Sequence, residues 1–261
     1  MSKKAFLFPG QGSQYVGMAK DLYDNSVEAV EMIKTADDAL GVNLSYIMFN
    51  GSEEQLKQTE FTQPAIFLHS VVLSSLIRTL QPKAAAGHSL GEYSALVSAN
   101  AIQFYDAIKL VRARGKAMQQ AGIDNPGTLA AIVGLESAKV EEFCKEASSE
   151  GVVQCANFNS PGQIVISGSL TGVKKAMELC KSGGAKIVKE LVVSGAFHSP
   201  LMQSAKDSLL KDLNETPFYD SRFPVYANVT AKPVTQKDEI KNLLYEQVTS
   251  PVRWEETIVN M

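Results

Sequence analysis

The chain has 261 residues, 45% of them hydrophobic, and a formal net charge of −3 at pH 7. That is apolar material for a substantial core at a length where one core starts to divide, and the absence of interleaved aromatic and basic residues argues against a nucleic-acid partner. No stretch reaches the roughly 20 apolar residues that span a bilayer, and the segment after Met1-Ser2-Lys3-Lys4 is too short for a secretory h-region, so the expectation is a soluble, cytoplasmic protein with two subdomains and no membrane contact.

Lys4 to Phe8 reads as a buried first strand that runs directly into Pro9-Gly10-Gln11-Gly12-Ser13-Gln14. Glycines straight after a first strand suggest a backbone that approaches a ligand. The loop is not a phosphate loop, because no Gly-Lys-Ser/Thr closes it, and Tyr15 takes the place that G-x-G-x-x-G reserves for glycine. Two readings stay open for it: an ordinary glycine turn, or a loop whose Gln11 N–H donates to an oxyanion.

Helices are predicted over Tyr15 to Tyr23, Ser26 to Leu40, a short segment after Ser52 with Gln55 completing a capping box, and a long apolar segment from about Thr62 to Leu80. Next comes Gly87-His88-Ser89-Leu90-Gly91, between the small apolar run Lys83 to Ala86 and a helical stretch Leu90 to Ala101. A G-x-S-x-G on a strand-to-helix corner pushes the serine hydroxyl out of the sheet. It also leaves the Leu90 N–H at a helix N-terminus, where an oxyanion would form. Ser89 is therefore the candidate nucleophile, although a solvated surface turn produces the same pentapeptide.

A further helix surrounds Val111 to Gln120, with Leu110, Ala113, Ala117 and Ala121 on its apolar face. An arginine close to such a stripe needs an anion, because an unpaired buried guanidinium is costly. Arg112 fits a solvated surface position. Asp124-Asn125-Pro126-Gly127 then breaks the chain, and the pattern becomes strand (Leu129 to Leu135), helix (Ser137 to Ser149), strand (Val152 to Asn157), strand (Gln163 to Ser167), helix (Thr171 to Ser182) and strand (Lys186 to Val193). This β-α-β-β-α-β run reads as a ferredoxin-like insertion. Cys144, Cys155 and Cys180 are odd in number and lack C-x-x-C spacing, as expected of reduced, half-buried thiols that fill the core.

A nucleophilic serine needs a base, and three histidines are available. His69 sits among Phe67, Leu68, Val71 and Val72, where a structural role fits best. His88 adjoins Ser89 on a tight corner and points elsewhere, so it lines the pocket. His198 remains, before Ser199-Pro200, where a helix would start and the side chain can face a cleft between the subdomains. No convincing carboxylate completes a triad.

Six ordered blocks carry a resemblance: Phe8 to Gln14, Gly87 to Ala95, Arg114-Gly115 with Met118-Gln119, Asn157 to Gln163, Gly195 to Met202, and Glu246 to Trp254. Together they resemble the signature blocks of malonyl-CoA:acyl carrier protein transacylases. The resemblance implies an α/β-hydrolase-like larger subdomain (residues 1–125 and 195–261) with the ferredoxin-like smaller one (126–194) inserted. It implies Ser89 as nucleophile and His198 as general base and acid, oriented by the backbone carbonyl of Gln247, with Gln11 and Leu90 as the oxyanion donors. It further implies that Arg114 grips the free carboxylate of a malonyl group, that Phe197 excludes a methyl branch at its α-carbon, and that Asn159 and Met118 line the substrate site.

Malonyl-CoA and acyl carrier protein are the implied partners of an enzyme of fatty acid biosynthesis, with no metal or other cofactor, and a monomer is the expected state. Carrier protein is acidic, and Lys174, Lys175, Lys181, Lys186 and Lys189 outnumber Glu178 and Glu190 over residues 173–190. A solvated helix face accounts for that stretch as well as a docking surface does. Members of the family continue past the position of Trp254 through a strand, a Gly-Pro-Gly turn and a terminal helix, whereas this sequence ends at Met261. The resemblance therefore implies either a shortened chain or one that lacks that sheet edge, with backbone groups exposed. A serine hydrolase or thioesterase would share the elbow but leaves Arg114 unexplained, and a weakly active carrier-binding remnant leaves Ser89, His198 and Arg114 together unexplained.

Overall fold

A computed structural model describes residues 4–191 and 193–261. Met1 to Lys3, at the predicted N-terminal start, and Val192, within the last predicted strand of the βαββαβ run, lie outside the described residues. The chain forms a mixed α/β fold of two compact units. Of the described residues, those up to 116, with 211–227 and 233–242, form the first; those from 117 to 210, with 228–232 and 243–261, form the second.

In the first unit β1 (Ala5–Phe8), β2 (Ala84–Gly87) and β7 (Val225–Tyr226) run parallel, and β8 (Pro233–Val234) pairs antiparallel with β7, in the order β1-β2-β7-β8. The predicted buried first strand needs correction: among the described residues β1 has only β2 beside it, and Leu7 is 53% exposed. An edge strand keeps one side open to solvent even when its sequence is wholly apolar.

The helices before the elbow also differ from the reading. Tyr15 to Tyr23 is helical only in α1 (Lys20–Asn25), because Gly17 and Ala19 adopt left-handed backbone and hold the preceding residues in turns. Helix α2 (Val27–Leu40) starts where the Ser26 hydroxyl accepts from the Ala29 N–H and stops at left-handed Gly41. Helix α3 (Leu44–Asn50), absent from the reading, is capped by Asn43 and buries Leu44, Ile47 and Met48. Ser52 caps α4 (Glu53–Lys57) through the Gln55 N–H, as its sequence anticipates. The long apolar helix is α5 (Thr59–Leu76), and the elbow leads into α6 (Gly91–Ser98) and then α7 (Phe104–Asp124).

In the second unit β3 (Gly127–Val133), β4 (Val153–Ser160), β5 (Gln163–Ser169) and β6 (Ile187–Leu191) form an antiparallel sheet in the order β4-β5-β3-β6. Helices α8 (Ser137–Ala147) and α9 (Leu170–Ser182) join the strands. Alternation decides what faces them: Ala130, Ile132, Val153, Cys155, Ile164 and Ile166 pack on Val140, Phe143, Cys144, Val173, Ala176 and Cys180. Each large aliphatic side chain buried this way contributes about 1.5–3 kcal/mol. All three thiols are fully buried rather than half-buried, and burial pushes that of Cys180 up to about 12. Helices α10 (Gln203–Glu215), α11 (Lys237–Gln247) and α12 (Trp254–Asn260) complete the chain.

Candidate active site

The strand-to-helix corner at Ser89 is built by close backbone approach. A Cβ on Gly87 would lie 1.9 Å from the Gly91 carbonyl carbon, and one on Gly91 would lie 2.4 Å from the Phe8 carbonyl oxygen. Both positions therefore exclude any side chain. Between them Ser89 takes φ = 51°, a left-handed conformation whose strain is of order 1–3 kcal/mol for a non-glycine residue. The Leu90 N–H follows directly at the amino end of α6, where a helix's first N–H groups have no intrahelical acceptor. The loop after β1 lies against the same corner: a Cβ on Gly10 would come within 2.5 Å of the His88 carbonyl oxygen and 3.2 Å of its Nδ1. Gln11 stands in the turn that this contact fixes.

Arg114 reaches this corner from α7. Its Nη2 donates to the Ser89 Oγ at 3.1 Å and its Nη1 to Gln63 Oε1 at 2.7 Å, while the guanidinium lies 5.5 Å from the centre of the Tyr93 ring. The residue is only 1% exposed. Burial pulls its basicity below the usual arginine range, opposed by the nearby Tyr93 and by the carboxylate of buried Glu92. The same burial pushes the Tyr93 phenol up to about 12. Helix α7 comes this close to α5 because Gly115 follows Arg114, where a Cβ would meet the Thr59 carbonyl oxygen at 2.7 Å.

Arg112 corrects the reading as a solvated residue. Its side chain is only 14% exposed, Nη1 donates to the Leu40 carbonyl at 2.7 Å, and Nη2 lies 3.9 Å from Glu60. The last carbonyls of α2 have no helical donor left, and a guanidinium satisfies one while favouring the negative end of the helix dipole. His69, half-buried in α5 and edge-on to Tyr15 at 6.4 Å, has its basicity lowered by burial, in keeping with a structural histidine.

The second unit holds His198, itself left-handed at φ = 56° and buried. Its Nδ1 lies 2.9 Å from the Gln247 carbonyl oxygen and 3.1 Å from that of Ser250. A carbonyl can only accept, so Nδ1 carries the proton and Nε2 is left as the basic nitrogen. Gln247 is the last residue of α11, where carbonyls lack helical donors. Phe197 is buried beside the histidine, with its N–H bonded to the Gly195 carbonyl at 3.1 Å. Asn159 lies half-buried near the end of β4, and Met118 is buried in α7.

Gln63, Tyr93 and the Ser250 carbonyl are additions that sequence reasoning missed. The available signal was a glutamine followed by Pro64 in the middle of an apolar helix, a polar residue that such a face does not need. The first unit presents a serine hydroxyl with a locked guanidinium beside it, and the second, by itself, a histidine with a defined tautomer; each is a kind of group that acyl transfer from an activated acid employs.

The acyl transferase domain family matches residues 5–261. The malonyl CoA-acyl carrier protein transacylase of Bacillus subtilis strain 168 is 45% identical over 261 residues, which cover 99% of this chain and 82% of that protein. Among solved structures, the acyl carrier protein S-malonyltransferase of Vibrio cholerae superposes with a TM-score of 0.94 at 44% identity, covering 99% of this chain and 85% of the other. A malonyl-transacylase in complex with its type II PKS acyl-carrier protein superposes at 0.95 with 41% identity, covering 99% and 84%. The chain belongs to the acyl transferase domain family, among the malonyl-CoA:acyl carrier protein transacylases.

Proposed function

We propose that the protein moves the malonyl group of malonyl-CoA to the phosphopantetheine thiol of acyl carrier protein, for fatty acid biosynthesis, through a malonyl ester of Ser89. The observation that carries this reading is Arg114, a buried cation 3.1 Å from the nucleophile. A hydrolase of neutral esters has no use for such a charge. A donor with a free carboxylate does, because the planar fork can hold the carboxylate while the thioester carbon rests at the serine.

In this reading His198 Nε2 takes the Ser89 proton as Oγ bonds to the thioester carbon. The oxyanion is held by the Gln11 and Leu90 N–H groups, and coenzyme A departs as the thiol after receiving that proton back. The carrier thiol then attacks the malonyl ester, its proton passing through His198 to Ser89. Before substrate arrives, Arg114 donates to Oγ itself. An entering carboxylate would draw the guanidinium to it and release the hydroxyl to the base. Phe197, Asn159 and Met118 are assigned to the walls of the acyl site, and Gln247 to orienting His198.

The strand order of the second unit supports a ferredoxin-like subdomain over residues 126–194, and the parallel strands around the elbow support an α/β-hydrolase-like one over 1–125 and 195–261. No described helix is long and apolar enough to cross a membrane, and a cytoplasmic monomer remains part of the proposal. Lys174, Lys181, Lys186 and Lys189 are exposed on α9 and next to or within β6, which suits either solvent or an acidic carrier. The test is intact-protein mass after brief incubation with malonyl-CoA: one malonyl adduct is expected, absent from Ser89→Ala and discharged by acyl carrier protein. An adduct that persists in Ser89→Ala, or that is lost to water as fast as to carrier, overturns the reading.

A further inference from the structure

We infer that Gln154 is a positioning residue for the base: its side-chain amide ties the backbone of His198 to the turn whose carbonyls orient the imidazole. This deepens the proposed function and rests on His198 being the base.

Val153 and Cys155 face the helices α8 and α9, so the pleat turns Gln154 to the opposite side of β4. There its Nε2 donates to the His198 carbonyl at 2.8 Å and to the Thr249 carbonyl at 3.2 Å. An amide nitrogen carries two hydrogens, which matches two acceptors. Thr249 lies between Gln247 and Ser250, the two residues whose carbonyls accept from His198 Nδ1. The same strand anchors the far end of that turn, since Val252 donates to the Ala156 carbonyl at 2.8 Å and accepts from the Phe158 N–H at 2.9 Å. One strand therefore fixes the turn by its backbone and links it to the histidine by a single side chain.

The brace has a purpose that ordinary packing does not supply. His198 holds a left-handed backbone that no glycine eases, and Nδ1 must stay within hydrogen-bond reach of a turn some fifty residues further along the chain. Without the amide, the carbonyls of His198 and Thr249 lose the donor they share, and the tie between the two segments is weakened. A shift on the order of 1 Å between reacting groups costs up to roughly a hundredfold in rate.

The experiment compares the full-length protein with Gln154→Leu, which removes the donor, and Gln154→Glu, which keeps the length and shape but sets a carboxylate against two carbonyls. Single-turnover acylation by malonyl-CoA is measured with the ¹⁵N spectrum of labelled histidine and the thermal melt. Both variants are expected to melt cooperatively and to acylate roughly 10- to 100-fold more slowly at saturation, with the half-saturating malonyl-CoA concentration within about twofold of wild type. His198 should change from one Nδ1–H tautomer to an averaged mixture. Wild-type rates with an unchanged tautomer in either folded variant would overturn the inference. So would a slower rate that tracks a lowered melt while the tautomer stays fixed. His198→Ala separates the two claims: if acylation survives in it, the base assignment falls, while the tautomer in the Gln154 variants still reports on the brace.

Discussion

The two units handle their key side chain in opposite ways. In the first, a permanent charge is sealed inside: Arg114 is held by the Gln63 amide, the Tyr93 ring and the field of Glu92. In the second, His198 is held by neutral carbonyls of Gln247 and Ser250. The difference suits what each group is proposed to do. An anion-binding group has to stay charged whatever surrounds it, and arginine does so even when burial lowers its basicity. A general base has to be neutral at rest, and an ionised carboxylate beside it would favour the imidazolium. Carbonyls fix the tautomer with a weaker bias towards the charged form. Both Ser89 and His198 nevertheless sit on left-handed backbone, so strain is common to the two ends while electrostatics is not.

The widest break in this comparison should come from the neutral end. His198→Ala removes the proposed proton carrier and is expected to slow acylation by roughly 10²–10⁴, the range of a positioned general base. His69→Ala should leave acylation by the folded enzyme close to wild type. Stopped-flow acylation of both variants decides this, and a larger chemical defect in His69→Ala would remove His198 from the mechanism.

At the charged end, Arg114→Ala should cost malonyl acylation about 2–5 kcal/mol, because a substrate carboxylate is desolvated with no partner. Acetyl-CoA brings no such anion, so its transfer should be kept or improved and the donor preference should invert. Arg114→Lys should fall between, restoring charge without the fork. Equal losses for both donors would make Arg114 structural. A smaller effect is expected of Gln63→Leu. It leaves Nη1 of a buried guanidinium without its amide acceptor, a loss of about 1–3 kcal/mol. Part of it should appear as a lowered melting temperature and part as weaker malonyl selectivity, and a change in stability alone would confine Gln63 to the fold.

How far this division was legible differs between the ends. The G-x-S-x-G corner could be read because its glycines are demanded by contacts under 2.5 Å, which no other residue meets. The alternation and turn residues from Gly127 to Leu191 likewise announce their elements, since Ser160-Pro161-Gly162-Gln163 closes a hairpin with Gly162 at φ = 70°. Arg112 could not be read. Two residues from Arg114, it points from another face of α7, and the sequence cannot show that α2 and α5 give partners to both faces. Gln154 and the Ser250 carbonyl were equally hidden. Their bonds join segments 44 to 95 residues apart through backbone oxygens, and every residue type has one of those. The edge position of β1 was invisible for the related reason that an apolar strand looks the same with one neighbour or two.

The finest test of the neutral end concerns Phe197, which is proposed to act on specificity rather than rate. Its ring is buried, with 7% of the residue exposed. If it borders the α-carbon of the acyl group, a methyl branch there meets a wall, and discrimination at this scale amounts to about 1–3 kcal/mol. Phe197→Ser should therefore narrow the preference for malonyl-CoA over methylmalonyl-CoA. Removing a buried ring also destabilises the fold by about 3–5 kcal/mol, so a bare rate would confuse lost enzyme with lost specificity. Competition between the two donors in one sample avoids this, because the active fraction cancels from the ratio of the two adduct masses. A ratio that stays at the wild-type value while total labelling falls would assign Phe197 to packing alone and leave the α-carbon to be read by another wall of the site.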